Sequence, residues 1–206
     1  MRAMSRRLGR WIAAAALVVL AGSVSAPQAN ADTYTFDRDH TNISFSWNHL
    51  GIARQSARIL DFEGTLDFDP SNPENGSIEV TMKVASLFTG AKGLDRDLKS
   101  SDFFDAARYP EITFKSTLIR AVGERSGEVA GDLTILGVTY PVVLQVRWNF
   151  SGEHPLGAIN AAYKGKYVAG FSAVTTLLRS AWGLKRAIPL VSDEIDVAIE
   201  AEFLRK

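Results

Sequence analysis

The chain predicts an all-β fold, an eight-stranded antiparallel barrel with a short helical excursion near one mouth. Three observations lead there. Apolar and polar residues alternate with a period of two along most of the sequence, which marks strands with one buried face. No stretch offers the crossover helices that a parallel sheet requires. The alternating runs are long, many of about ten residues, and that length favours tilted strands closed into a barrel over a sandwich.

The first 31 residues stand apart from this pattern. Arg2, Arg6, Arg7 and Arg10 make a basic start with no acidic residue, and Trp11 to Val24 is almost wholly apolar. That run is shorter than the roughly 20 apolar residues needed to cross a bilayer. Ala29-Asn30-Ala31 then supplies a small-x-small cleavage signal. The expectation is a signal peptide over residues 1–31, cut after Ala31, and an exported protein, periplasmic or secreted. Ser5-Arg6-Arg7 invites a twin-arginine reading, but Gly9 stands where that route prefers a bulky apolar residue, so general secretory export is favoured.

Without the leader, 19 basic residues face 23 acidic ones, a net charge near −4. This excludes the electrostatic footprint of a nucleic-acid binder and a basic patch for anionic lipid surfaces. Residues 32–206 are enough for one domain with its own core. There is no cysteine, so stability rests on that core alone.

The strands follow in order. Ile43, Phe45 and Trp47 alternate with Asn42, Ser44, Ser46 and Asn48. Leu60, Phe62, Leu66 and Phe68 alternate with Asp61, Glu63, Thr65 and Asp67. Ile78, Val80, Met82 and Val84 alternate with Ser77, Glu79, Thr81 and Lys83. Later, Ile112, Phe114 and Leu118 oppose Thr113, Lys115 and Thr117, and Val142, Leu144, Val146, Trp148 and Phe150 oppose Gln145, Arg147 and Asn149. Ile195, Val197, Ile199, Ala201 and Phe203 oppose Glu194, Asp196, Glu200 and Glu202. Segments 127–136 and 167–178 are strand-like with less definite facing.

Asp69 to Gly76 and His154 to Gly157 are loops by composition. Gly137-Val138-Thr139 reads as a tight hairpin, and Pro141 should fall at an edge, a strand start or a bulge. Between Gly90 and Arg108 the period breaks: Leu94 and Leu98 with Asp95, Arg96 and Asp97 make a short helix, followed by Phe103-Phe104.

Little here carries catalytic chemistry. His40, His49 and His154 lack the local spacing of a zinc site, and His40 is better suited to bridging the turn between the first two strands. No thiol, Gly-x-Ser-x-Gly elbow, phosphate loop or dinucleotide fingerprint is present. The pairs Asp95/Asp97 and Asp102/Asp105 read as solvated charges around a short helix, not as acid/base pairs. No metal and no cofactor is expected.

The aromatic residues say more. Phe45, Trp47, Phe62, Phe114 and Trp148 lie on the apolar faces of separate strands, so they converge inside, as lining or as plain core. Phe103 and Phe104 are suited to covering one mouth. Arg54, Arg58 and Lys99 read first as solvated surface, with anchoring of an anionic head group as the other reading.

Several segments in this order carry a family pattern: Asp39-His40-Thr41-Asn42-Ile43-Ser44-Phe45 with His49-Leu50-Gly51, Phe62-Glu63-Gly64 with Asp69-Pro70, and Ser101-Asp102-Phe103-Phe104-Asp105 followed by Tyr109-Pro110-Glu111-Ile112-Thr113-Phe114-Lys115-Ser116. Gly131-Asp132-Leu133-Thr134 and Gly137-Val138-Thr139-Tyr140-Pro141-Val142 continue it. Along nearly its whole mature length the chain resembles the YceI-like, polyisoprenoid-binding, lipocalin-like proteins. It departs from them at Leu94-Asp95-Arg96-Asp97, where Arg-Asp-x-His is common, at Ala57 in place of a glycine, and at Trp182-Gly183-Leu184.

The resemblance implies an extended lipocalin-like barrel with a long apolar cavity, no catalytic residues and no metal. It implies a periplasmic binding or carrier protein, not an enzyme, that sequesters a polyisoprenoid or similar amphipathic lipid. Phe45, Trp47, Phe62, Phe114 and Trp148 are the expected ligand-binding residues, with Phe103 and Phe104 at the mouth. The alternative is a stress-response structural module whose barrel is filled and whose partners are proteins only. Nucleic acid is not an expected partner, the mature chain has no expected membrane span, and assembly as a homodimer is left open.

Overall fold

Alternation commits one face of every run to the inside, and in the computed structural model eleven strands satisfy it by forming a single sheet that closes on itself. The structure describes residues 31–206; the leader expected over residues 1–31 lies outside them except for Ala31. The strands are β1 (Asp32–Phe36), β2 (Asn42–His49), β3 (Ala53–Ile59), β4 (Phe62–Phe68), β5 (Ser77–Lys83), β6 (Leu87–Phe88), β7 (Glu111–Gly123), β8 (Ser126–Ile135), β9 (Val138–Glu153), β10 (Tyr167–Leu178) and β11 (Glu194–Arg205). One helix, α1 (Lys92–Lys99), lies between β6 and β7.

Eleven strands make eight staves because three staves are interrupted. β1 and β2 both run along β11, β1 beside Phe203–Arg205 and β2 beside Asp196–Glu200. β4 then pairs with β1 and β3 with β2, while β5 pairs with β4 and β6 with β3. From there β7 to β11 follow as antiparallel neighbours. Each stave lies beside the next in the chain, and the last closes on the first. This is the expected eight-stranded antiparallel barrel.

Side chains bridge the interruptions. Between β1 and β2, the Asp37 carboxylate accepts from the Asp39 N–H at 3.2 Å and pairs with His40 Nδ1 at 3.0 Å. Thr41, buried there, donates to the Glu202 carbonyl and accepts from the Glu202 N–H, both at 3.2 Å. Ser86 Oγ straps the other two breaks together, accepting from the N–H groups of Leu60 and Asp61 and donating to the Lys83 carbonyl. Leu60, expected on the inner face with Phe62, is exposed for this reason: it sits in the break, outside the pleat.

Two β-bulges correct the expected facing elsewhere. On β7 the register slips between Ser116 and Leu118, so one extra residue opposes β8. Past it the parity inverts. Leu118, expected inside, is 61% exposed, and Ile119 turns inward opposite Val129. On β9 the slip at Asn149 does the same to Phe150, which pairs with Gly170 on the outer face while Trp148 pairs with Phe171 inside.

The β8–β9 hairpin turns on Leu136 and Gly137, both left-handed with φ of 52° and 71°. This two-residue geometry matches the twist of the flanking strands and puts Val138 and Thr139 already in β9, so the turn falls one position earlier than expected. Pro141 pairs with Asp132 of β8 but lies outside the stretch of β9 paired with β10, which stops at Gln145, so on that side no ladder asks for its N–H.

The pairings set two ends. Residues 50–52, α1, the Leu136–Gly137 turn and the segment Arg179–Asp193 gather at one, the capped end. At the other, the hairpin end, stand Asp69–Gly76, the β7–β8 turn at Glu124–Arg125, residues 154–166, and Arg205 paired with Asp32 at 2.8 Å.

Close approach between β4 and β5 depends on Gly64. A Cβ there would stand 2.2 Å from the Glu79 carbonyl oxygen and 2.9 Å from Phe36 Cε2. Backbone cannot give way as a flexible side chain can, so Gly64→Ala is expected to cost about 1–3 kcal/mol, the usual price of overpacking a tight site. The measurement is a lower urea midpoint at unchanged slope; coincident unfolding curves would show that the two strands part there freely.

Candidate functional site

The inner faces of the eight staves do not meet. They enclose a cavity of about 480 Å³ that runs between the two ends. Its middle is walled by aliphatic and aromatic side chains, among them Ile43, Phe114, Leu144, Ala173 and Ile199. The charged and imidazole side chains among its walls stand at the ends: His49, Asp97 and Arg179 at the capped end, Arg120, Glu124 and Arg125 at the hairpin end. A volume of this size falls within the roughly 300–1,000 Å³ of small-molecule sites.

Six of the seven residues expected at the site line this cavity: Phe45, Trp47, Phe103, Phe104, Phe114 and Trp148. Phe45 stacks on Trp47 with centroids 5.8 Å apart, and Phe104 reaches Phe45 at 6.1 Å from the segment after α1. Leu94 and Leu98 of α1 join them, so the helical excursion does cover that end of the barrel. Phe62 is placed otherwise. It is buried edge-on against Phe36 at 5.2 Å, with the Arg38 guanidinium over its ring, and belongs to the packed core behind the cavity wall.

Arg54, Arg58 and Lys99 are not among the cavity walls. Arg54 pairs with Asp196 at 2.6 Å and Arg58 donates to Asn42 at 2.7 Å, both from outward-facing positions. Asp37, His40 and Glu202 bring their donor atoms within 4.8 Å of one another on the outer surface, at the break between β1 and β2. The hydrogen bond that its ring donates to the Asp37 carboxylate, with that carboxylate's charge, raises the His40 pKa. This group lies away from the cavity and serves the turn.

The capped end holds a structure that periodicity does not announce. Trp182, buried, inserts its ring beside Tyr140 and donates Nε1–H to the Leu133 carbonyl at 3.0 Å. Leu184 and Val191 also face the cavity. The segment carrying them is wound around Arg179, only 7% exposed. Its guanidinium donates to the carbonyls of Ser192 (2.8 Å), Arg186 (2.9 Å), Val191 (3.0 Å) and Leu184. Burial lowers its pKa, with Asp193 acting in the opposite sense.

Asp193 closes the segment by accepting from the Ser180 hydroxyl at 2.6 Å and the Ser180 N–H at 2.8 Å. The hydroxyl bond is the first cause that holds its carboxyl below the ordinary aspartate range. A pKa depressed on folding contributes stability above the unfolded value and loses it as pH falls through the folded one. Asp193→Asn is therefore expected to flatten the acid limb of the stability profile while leaving the alkaline side parallel to wild type. Denaturation midpoints from pH 7 to pH 3 check this; parallel acid limbs would count against it.

The model of the YceI-like domain matches residues 34–203. A UPF0312 protein of Pseudomonas savastanoi pv. phaseolicola is 37% identical over 194 residues, covering 93% of this chain and 96% of its own length. The crystal structure of the Campylobacter jejuni YCEI protein superposes with a TM-score of 0.69 at 30% identity, over 77% of this chain and 90% of that one. A polyisoprenoid binding domain from Saccharophagus degradans shares the fold at a TM-score of 0.62 and 13% identity, over 84% and 98%. Matched from within β1 into β11, the chain belongs to the YceI-like family.

Proposed function

We propose that the protein binds a polyisoprenoid or similar amphipathic lipid inside the barrel and carries it through the bacterial periplasm after removal of residues 1–31. The observation that carries this reading is the continuous apolar cavity of about 480 Å³ with its charged side chains confined to the ends. A prenyl chain placed there leaves water at about 0.8 kcal/mol per buried CH₂, and the walls ask for no specific polar match along its length. The polyisoprenoid-binding domain from S. degradans has the same fold. Phe45, Trp47, Phe114 and Trp148 contact the chain, and Phe103 and Phe104 cover it at the capped end. Sequestration involves no bond-making, so the protein acts as a binding protein and not as an enzyme. The cavity counts against the filled-barrel module, which has no use for such a space.

The test is extraction of the purified protein with organic solvent and mass spectrometry of what leaves it, followed by titration of the stripped protein with geranylgeraniol, a C20 prenol. A co-purifying lipid and saturable 1:1 binding are expected. Stripped and refolded protein that binds no prenol would remove the proposal.

A further inference from the structure

We infer that the ligand carries an oxygen hydrogen-bond acceptor, and that it accepts from Trp148 Nε1 toward the hairpin end of the cavity. This rests on the lipid-binding reading and adds a chemical class and an orientation to it. Among the described residues, Trp148 Nε1 is the one buried side-chain nitrogen or oxygen with no hydrogen-bond partner. An orphaned indole N–H is costly to bury, about 1–3 kcal/mol. Tryptophan is ordinarily buried only where that N–H finds an acceptor, as the Trp182 N–H finds the Leu133 carbonyl.

Nε1 has no open surface in the empty barrel, so a ligand meets it by turning the indole toward the cavity that its ring lines. Trp148 lines the cavity. Its ring meets Phe68 edge-on at 5.3 Å and lies in register with Phe171. Phenyl rings offer no acceptor lone pair, and a lone water there lacks the two to four polar partners that hold buried water. The bulge at Asn149 immediately follows Trp148 and keeps its ring inside while Phe150 turns out. On the hairpin side, Arg125 stacks over the indole, 5.9 Å from its centroid, and donates to the Asn149 carbonyl at 3.0 Å. No carboxylate pairs with Arg125 among the described residues. A cation beside the donor favours an oxygen-bearing head over bare hydrocarbon. The tail then runs along the apolar walls toward Phe45, Trp47 and Phe104.

Two probes of similar chain separate the steps: geranylgeraniol and the corresponding hydrocarbon without its hydroxyl. Wild type is expected to bind the prenol about five- to tenfold more tightly, the span of one net hydrogen bond. Trp148→Phe keeps a buried ring and removes the N–H; it should erase this preference, the prenol losing more affinity than the hydrocarbon. In ¹H–¹⁵N spectra the indole signal lost in Trp148→Phe should shift in wild type on adding the prenol and move less with the hydrocarbon. Equal affinity of both probes for both proteins would overturn the inference and leave lipid binding standing. If neither probe binds wild type, the carrier reading falls and the inference falls with it. A variant with altered far-UV circular dichroism is replaced by Trp148→Tyr, whose hydroxyl restores a donor and should retain part of the preference.

Discussion

Replacing Arg179 with methionine is expected to undo the capped end of the barrel and lower stability by about 3 kcal/mol. The guanidinium is buried and serves four carbonyls of one loop, from Leu184 to Ser192. Hydrogen bonds to a charged donor contribute about 1.5–3 kcal/mol each, so four summed directly would exceed the loss expected here. The loop has an escape: it can swing out and hydrate its carbonyls, which limits the loss to the free energy of docking Trp182, Leu184 and Val191. Arg179→Lys should recover little, because an ammonium cannot reproduce the planar fork that reaches four acceptors at once. The distinguishing measurement is amide hydrogen exchange. Protection should drop through residues 183–192 and persist in β7 to β9. An unchanged denaturation midpoint together with unchanged exchange in the loop would refute the assignment. Release of a bound lipid should also quicken, since the loop covers one way out.

The knot around Arg179 was not legible in the sequence, and the reason is physical. Its acceptors are backbone carbonyls, which every residue possesses, so no side-chain pattern marks them. Periodicity reads only elements whose neighbours are other regular elements. It found a run in each of the eight staves and the helical excursion, because a closed antiparallel barrel imposes the same two-residue period on each strand, and it missed β1, β3 and β6, the other parts of the interrupted staves. It placed Phe45, Trp47, Phe114 and Trp148 inside, because each precedes any slip of register in its strand.

Alternation failed where one extra residue enters. The runs Ile112-x-Phe114 and Val142 to Trp148 extrapolate inward to Leu118 and Phe150, and the bulges at Thr117 and Asn149 turn both outward. Neither Thr117 nor Asn149 is a glycine or proline that would signal a bulge; the glycines, Gly131 and Gly170, stand on the partner strands. Leu60 misled in the same way, across a break held by the hydroxyl of Ser86, distant in sequence. Phe62 shows a different limit. Its inward facing is right, but core and cavity wall share a face, and only the position of Phe36 decides that Phe62 packs behind the wall.

That limit also sets the substitution with the largest expected effect on binding. Ala173 lies midway along β10, inward-facing, between Val146 on β9 and Ile199 on β11. Enlarging it to phenylalanine projects a ring into the middle of the cavity. In a barrel filled by side chains this overpacks the core and costs about 1–3 kcal/mol. In a hollow barrel the ring enters free space and buries apolar area, at about 25 cal/mol per Å², so stability should hold or rise. Affinity for geranylgeraniol should then fall at least tenfold, because the chain can no longer pass the constriction. The outward-facing neighbour Ala198 on β11 provides the control: Ala198→Phe adds the same ring to the outer surface and should leave affinity as in wild type. Destabilised Ala173→Phe with unchanged binding would place the lipid elsewhere. Stable Ala173→Phe that binds nothing, beside Ala198→Phe that binds normally, ties the ligand to the interior by the one property that separates a pocket from a core, the space between facing walls.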